Sequence, residues 1–555
     1  MSVFIGYPSF MAYQMMKGKK GNNEGFPSVP GMIARYSALG LTNEQMAANP
    51  VWVDKTGNGH DLQMKNFAWK EGSGISDIYP GALVFDGVDD YGVCENFPIL
   101  TKEKGYTVVA LRQWDQDFLN TTLTGGLLST RNYSTREGVA FEKIESSNKG
   151  YWNLGVGGII DFAKSPFTWQ TSKQYNNVGI LKGDKNHGKP LCVGCGLSGG
   201  QQCGRFAIWE LVFLDHDATE EELTKIKDYF VKTYPWLFPD QAWTVVGKTN
   251  EDEDRATIAN ITGNGNNLVL SNLGFAEGSG YGLYYQYFGN EFKATNGEIE
   301  GGGWNIIDNY NISHDKRIPI NSIGKCFWGN KALVNGIKLR FKLTGMTEGD
   351  VLAFGYAATY DLTYTSDGIY AIDLPPVDKP YGFSLQSSLT ENLPTTPVTI
   401  ELLPFEYEGY LVTDGVDDKI TSSTFEMGND WTVIGDWKLI NTGKNDNAGI
   451  VKFNSIVIYN YNPILINIKN GRNNLIPDQN TVNAICSDGR IYSKDWKESI
   501  YNEETESTSK NLLTIGYSGN DYTKIVFRNL AIYPTVLSKE DCIKAYNYLQ
   551  ALKAK

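Results

Sequence analysis

Histidine is scarce in this chain: four residues among 555, His60, His187, His216 and His314, far apart in sequence. That spread offers no imidazole pair at ligand spacing and no acid–base set. Nucleophile-elbow, P-loop and zinc-protease motifs are missing too. Positive charge is also in deficit, with 50 Lys and Arg against 63 Asp and Glu, a formal net charge of −13. A field of that sign gives no electrostatic reason to bind nucleic acid or an anionic membrane. The nearest basic patch, Lys17-Gly18-Lys19-Lys20, reads as a solvated tail. No segment reaches the roughly 18 apolar residues that span a bilayer. The opening residues Met1–Pro8 lack a basic stretch followed by an apolar core, so export by a signal peptide is not expected. Cysteine is sparse and odd in number, seven in all. Cys192-x-x-Cys195 with Cys203 has metal-ligand spacing, but a zinc site needs a fourth ligand and His187 is the one imidazole nearby. Reduced thiols packed in or near a β core, in a chain folded in a reducing compartment, are the expectation.

What the chain has in quantity is glycine and aromatics: 59 Gly, 32 Tyr, 25 Phe and 13 Trp. Glycine supplies the positive-φ positions of tight turns and aromatics favour the pleated surface, so an all-β fold is expected. The organisation follows from a repeat. YSALGLTN (36–43) returns as WTVVGKTN (243–250), and DKTGNGHDLQMKNFAW (54–69) as NITGNGNNLVLSNLGF (260–275). LVFDGVDDYGV (83–93) returns as LVTDGVDDKIT (411–421), and YTVVALRQW (106–114) as WTVIGDWKL (431–439). A strand-plus-helix segment at 206–230 is matched at 526–549. Five matches in one order identify a duplicated unit.

Spacing locates an insertion. Thr56 precedes Asp86 by 30 residues but Thr262 precedes Asp414 by 152, leaving 122 extra residues in the second copy. The extra stretch alternates with period two, as in IKLRFKL (337–343) and VTIELL (398–403), which predicts half-buried strands in a module whose ends lie close together. The expected division is a tail or anchor over 1–35, a first domain over 36–237, a second over 243–282 and 405–551, and an inserted β module over 283–404. Tyr7, Phe10, Tyr13, Met15 and Met16 lie outside the repeat and make the tail a candidate anchor or oligomerisation segment. Each copy is expected to end in a helix, N-capped by Thr219 with Glu222 and by Ser538 with Asp541. Leu223, Ile226 and Phe230 form the apolar face of the first helix, and Ile543, Tyr546 and Leu549 that of the second. Tyr234–Pro239 reads as a stiff, partly buried linker.

Two motifs recur in both copies. Thr56-Gly57-Asn58-Gly59 and Thr262-Gly263-Asn264-Gly265 carry the Asn-Gly signal of a tight turn between strands. Asp86-Gly87-Val88-Asp89-Asp90 and Asp414-Gly415-Val416-Asp417-Asp418 set carboxylates at a strand end. Turn stabilisation through backbone N–H groups is the first reading. Ca²⁺ ligation by Asp86, Asp89 and Asp90 and by Asp414, Asp417 and Asp418 is the second, although one short loop offers fewer oxygens than Ca²⁺ usually takes. No catalytic residue is assigned, and no sugar-contacting residue is named.

With the TGNG turn, the LxFDGxDDY strand and the late hairpin at Ser487-Asp488-Gly489-Arg490-Ile491-Tyr492, the chain resembles the concanavalin A-like, LamG-type jelly-roll group over about 33–237 and 243–551 apart from the insertion. The resemblance implies two β-sandwiches, each ending in a short helix. That fold hosts lectins, adhesion modules and glycosidases alike. DGVDDYGV followed by a C-terminal helix is also similar to virion proteins, head or tail fibres, of phages of gut Bacteroidetes. This implies a non-enzymatic structural protein, assembled in a host cytoplasm beside other virion proteins as a homo-oligomer. Its lectin-like domains would contact host-surface or mucosal glycans. A decoration protein without glycan binding is the alternative. A glycan-cleaving enzyme is a further one, but the Glu-x-Asp-x-(x)-Glu strand that resemblance to sandwich glycosidases would require is missing. Glu251-Asp252-Glu253-Asp254 is no substitute, since consecutive residues of an extended chain face opposite ways.

Overall fold

The computed structural model describes residues 25–553 except 131–138, 144–148, 173–189, 286–303, 321–325, 328–336, 375–381, 440–448, 477–481 and 501–512, with further interruptions of one to four residues. The fold is all-β, built of packed sheets with a few short helices. Alternating patterns become strands with one buried face: Leu62–Lys65 and Leu268–Ser271, at matching places in the repeat, both bury every second residue.

In the first copy one sheet runs in the order Phe167–Thr171, Thr107–Trp114, Arg205–Leu214, Ala82–Asp86, Gly74–Ser76, with Met32–Ser37 also on the Arg205–Leu214 strand. The second copy repeats it as Val482–Cys486, Thr432–Leu439, Ile525–Tyr533, Leu411–Val412, Gly280–Tyr281, with Gln241–Thr244 on Ile525–Tyr533. The late hairpin strand Arg490–Ser493, then Glu498–Ile500, extends this sheet beyond Val482–Cys486. The opposing sheets match as well. Val51–Trp52, Leu62–Lys65, Tyr91–Cys94, Leu191–Val193 and Gly125–Ser129 correspond in order to Thr257–Ile258, Leu268–Ser271, Lys419–Ser422, Thr514–Ile515 and Gly449–Phe453.

Between the sheets lie aromatic cores. Trp52, Phe85, Trp114, Phe206 and Phe213 fill the first, and Trp243, Trp431, Trp437 and Phe527 the second. Both long central strands carry a bulge at the same place. Trp209 is the extra residue between Ile208 and Glu210, and Arg528 the extra one between Phe527 and Asn529. At that point each strand changes its partner on one edge, from Ala82–Asp86 to Met32–Ser37 and from Leu411–Val412 to Gln241–Thr244. A bulge supplies the twist that such a switch needs.

A third apolar layer joins the copies. It contains Trp209 and Val109 of the first copy, Leu223, Ile226 and Phe230 of the Glu220–Thr233 helix, Trp236 and Leu237 of the linker, and Ile434, Tyr533 and the Lys539–Ala551 helix of the second copy. Trp209 and Tyr548 meet edge to face at 6.1 Å, the Tyr548 hydroxyl donates to Gln113 Oε1 at 2.9 Å, and the Tyr533 hydroxyl to the Trp236 carbonyl at 3.0 Å. The helix caps are as expected: Glu222 N–H donates to Thr219 Oγ1 at 3.3 Å and Asp541 N–H to Ser538 Oγ at 3.1 Å. The second helix buries Cys542, Ala545, Tyr548 and Leu549, so Ile543 and Tyr546 stand at the rim instead of inside. The small Cys542 and Ala545 let the helix lie close on its sheet, while Tyr546 packs edge-on against Trp496 at 5.7 Å.

The first sandwich begins earlier than residue 36. Its strand starts at Met32, and Phe26 and Val29 are buried in the joining layer. Residues 1–24, with Tyr7, Phe10, Tyr13, Met15, Met16 and the lysines at 17, 19 and 20, lie outside the described residues. The inserted stretch contains two five-stranded sheets around a core of its own, with Phe341, Phe354 and Phe383 inside. Arg317 and Asp350, fully buried, pair there at 2.8 Å.

Candidate functional site

The DGVDD loops close on themselves in the same way in both copies. Gly87 and Gly415 have φ of 76° and 70°, and a Cβ on Gly87 would meet Arg205 Cβ at 2.8 Å. Only glycine serves there. Asp86 Oδ1 accepts the N–H groups of Val88 at 2.7 Å and Asp89 at 3.3 Å, and Asp90 Oδ2 accepts that of Asp86 at 3.0 Å. Asp414 does the same for Val416 at 2.7 Å and Asp417 at 3.4 Å, and Asp418 for Asp414 at 2.7 Å. Asn66 and Asn272 donate across to the Asp89 and Asp417 carbonyls at 3.0 Å. Turn closure is therefore a role whose bonds are all visible.

Asp90 and Asp418 are buried, and burial lifts both carboxyls to about 6. The Ser279 hydroxyl donates to Asp418 Oδ1 at 3.1 Å, and Ser73 holds the equivalent place beside Asp90. In each triad one oxygen of every carboxylate lies within 4.8 Å of the others. Sign and span suit a divalent cation. The loop would supply three of the six to eight oxygens Ca²⁺ takes, two of the three carboxylates being already engaged by backbone N–H groups. The loop tips carry Val88 and Val416, exposed by 75% and 69%.

The TGNG loops depend on a residue that sequence reading passed over. Asp54 Oδ1 accepts the N–H groups of Arg35 at 3.1 Å and Thr56 at 3.0 Å, and Asp54 Oδ2 that of His60 at 3.3 Å. Asn260 takes its place in the second copy, its Oδ1 accepting from Ala242 at 3.3 Å and Thr262 at 3.0 Å. The signal was present in the alignment of the copies, where Asp54 and Asn260 coincide two residues before the threonine.

The second TGNG loop forms one wall of a cavity of about 550 Å³ between the copies. Asp240, Thr262 and Asn264 line it on that side, Gln113 and Gln116 on the side of the first copy, and Val231, Leu237, Phe238 and Leu552 make its apolar part. Lys248 and Asp254 sit at its edge as an ion pair at 2.5 Å. The volume falls within the range of small-ligand sites, as does the mixture of apolar wall and convergent polar groups. Sequence reading missed it because its residues are drawn from Gln113 to Lys553.

Other predicted positions do not converge. Among the described residues, the Asp triads are the groups in which three metal-ligand atoms close together. Cys192, Cys195 and Cys203 form a buried cluster, and His187 lies outside the described residues. His60 packs on Phe97, His216 lies between Asp215 and Glu222, and His314 packs at a tilt against Trp304. In the Glu251–Asp254 run, Asp252 closes a turn by accepting from Thr249 N–H at 2.9 Å. No helix among the described residues is long and apolar enough to cross a membrane.

Comparison with known proteins found no matching family model and no matching curated protein. Among solved structures, a Trypanosoma rangeli sialidase in complex with sialic acid is similar at 13% identity and a TM-score of 0.24, covering 40% of this chain and 38% of that one. The chain thus spans well under half the length of that enzyme. An HCR/D mutant matches at 9% identity and a TM-score of 0.25, over 75% of this chain and 90% of that one.

Proposed function

We propose that the chain is a non-enzymatic structural protein of a virion, a head or tail fibre or decoration subunit, whose sandwiches contact host-surface or mucosal glycans. The observation that carries the binding half is the cavity between the copies. Amides, a hydroxyl and a carboxylate face an apolar wall there, which matches the mixed polar and C–H surface of a sugar. The buried layer joining the copies supports the structural half, since it holds two modules in one unit. Other virion proteins are the proposed partners, further copies of the chain included. Asp240 and Asp254 also line the cavity, but Asp240 accepts amide bonds from Gln241 and Asn264 and Asp254 pairs with Lys248. Glycoside cleavage needs a carboxyl free to deliver a proton, so binding is the better reading. Ca²⁺ on the DGVDD triads belongs to the same proposal.

The test is a glycan array of the purified chain, with calcium and with chelator, beside Val231→Trp. Val231 is 39% exposed and lines the cavity, so a tryptophan there fills the space without entering a core. Wild type is expected to bind, and the variant to lose about tenfold or more in affinity, about 1.4 kcal/mol, with an unchanged melting temperature. Equal binding by both would remove the cavity from the proposal. A blank array for well-folded wild type would leave the structural role alone. Release of reducing sugar would replace both with an enzyme.

A further inference from the structure

The strands Cys195–Leu197 and Gln201–Cys203 form an antiparallel hairpin in which Cys195 and Cys203 are direct cross-strand partners. Such partners share one face of the ladder, with Cα atoms about 4.5–5.5 Å apart, inside the roughly 4.4–6.8 Å that a disulfide spans. Both side chains are buried in one small cluster with Cys192, and Cys203 retains 7% exposure against 0% for Cys195.

The hairpin is held tightly in place. It crosses the Gly125–Ser129 strand so closely that a Cβ on Gly126 would lie 2.1 Å from Gly196 N, and one on Gly204 would lie 2.7 Å from the Gly126 carbonyl oxygen. The second copy builds the same hairpin, with Tyr517 opposite Tyr522. Tyr517 follows Gly516 as Cys195 follows Gly194, and Tyr522 precedes Lys524 by two residues as Cys203 precedes Arg205. One copy thus has two cysteines at the paired positions where the other has two tyrosines.

We infer that Cys195 and Cys203 are a disulfide-forming pair, thiols as the chain folds and joined when it meets a peroxide. The Cys203 sulfur, the more exposed, attacks a peroxide oxygen. An S–O bond forms, the O–O bond breaks, and the departing hydroxide takes the thiol proton to leave as water. The Cys195 sulfur then attacks the sulfenic sulfur of Cys203; the S–S bond forms, the S–O bond breaks, and the second hydroxide leaves with the Cys195 proton as water. Two thiols and one peroxide yield one disulfide and two waters. A hydrogen bond with the neighbouring Cys192 thiol, and then burial, keeps Cys195 protonated, and burial keeps Cys203 so, and the reaction therefore runs faster at alkaline than at neutral pH.

The experiment treats the full chain with hydrogen peroxide, alkylates the remaining thiols in denaturant, and maps the digest by mass spectrometry. The expected product is a peptide pair linked through Cys195 and Cys203, with Cys192 alkylated and the link retained in Cys192→Ser. In Cys195→Ser, Cys203 is expected to stop at sulfenic acid and to be captured by a dimedone probe. Alkylation of both Cys195 and Cys203 after oxidation would overturn the inference. So would a link in which Cys192 replaces either.

Discussion

The two sandwiches set the same strands in the same order, yet they fill equivalent interior positions with different chemistry. In the first copy Arg35 pairs with Glu210 at 3.0 Å, both buried, and Glu210 also accepts from the Tyr234 hydroxyl at 2.7 Å. In the second, the strand register puts Ala242 in the place of Arg35 and Asn529 in the place of Glu210. The Asn529 amide is buried with no hydrogen-bond partner for either Nδ2 or Oδ1. At the bulge, Trp209 seals the joining layer and donates to the Pro80 carbonyl at 2.9 Å, whereas Arg528 lies over the Tyr410 ring at 5.4 Å. What the copies share is the apolar alternation, the positive-φ glycines and the caps. Those features specify the sandwich, and buried ion pairs are local solutions laid over it.

The sharpest way to break the comparison is to leave half of the ion pair. Glu210→Ala strands the Arg35 guanidinium in an apolar interior and is expected to cost about 3–5 kcal/mol. Loss of denaturant resistance in the transition of the first sandwich would report it. Installing the second copy's residues together, Arg35→Ala with Glu210→Asn, is expected to recover more than half of that loss. If the double variant is as unstable as the single one, the pair specifies the first sandwich and the copies are not interchangeable there.

A smaller effect per site is expected where the copies agree. Asp90 and Asp418 titrate at about 6 in the fold, against about 3.9 in an unfolded chain. The folded state therefore binds these protons more tightly. Their contribution is most favourable below pH 4, is lost as pH rises to about 6, and is flat beyond. At about 1.4 kcal/mol per unit, the loss is at most about 3 kcal/mol per site. Asp90→Asn with Asp418→Asn should flatten this part of the pH–stability profile and raise the melting temperature at pH 7. Calcium sharpens the test. An ion held by the triads would raise the wild-type melting temperature at pH 7 and leave the double variant unmoved, and equal response of the two would assign the carboxylates to turn closure alone.

Much of this architecture is legible in the sequence. The repeat aligned strands correctly because period-two alternation and glycine turns are local signals, and the caps at Thr219 and Ser538 were legible for the same reason. Legibility failed where the deciding contact is distant. The domain boundary expected at residue 36 falls inside the strand Met32–Ser37, since nothing local reveals that Met32 pairs with Leu214. The buried face of the C-terminal helix lies one residue away from the expected Ile543, Tyr546 and Leu549, because its small side chains face inward on account of the sheet beneath them. In sequence Asp90 and Asp418 look like their neighbours, and burial separates them from the partly exposed Asp86 and Asp414 and the exposed Asp89 and Asp417. The cavity depends on elements joined only by the third apolar layer.

The smallest effect is expected from removing the largest difference. In the first copy the strands Gly74–Ser76 and Ala82–Asp86 pair directly, with Asp77–Gly81 between them. In the second copy the equivalent strands Gly280–Tyr281 and Leu411–Val412 pair likewise, and the chain leaves and returns through a second short ladder, Tyr284–Tyr285 with Phe405–Glu406. The module beyond that ladder has its own core and its own buried ion pair, Arg317 with Asp350. Replacing residues 283–409 by the five residues of the first copy's turn, Asp-Ile-Tyr-Pro-Gly, retains Tyr410 and its contacts with Asp436 and Arg528. The shortened chain is expected to keep the melting temperature of the second sandwich within about 2–4 °C, a change of about 1 kcal/mol. Glycan binding in the cavity should persist, since none of its lining residues falls in the excised stretch. Loss of cooperative unfolding in the second sandwich would show instead that the module completes that domain, and that the copies diverged in what they need to fold.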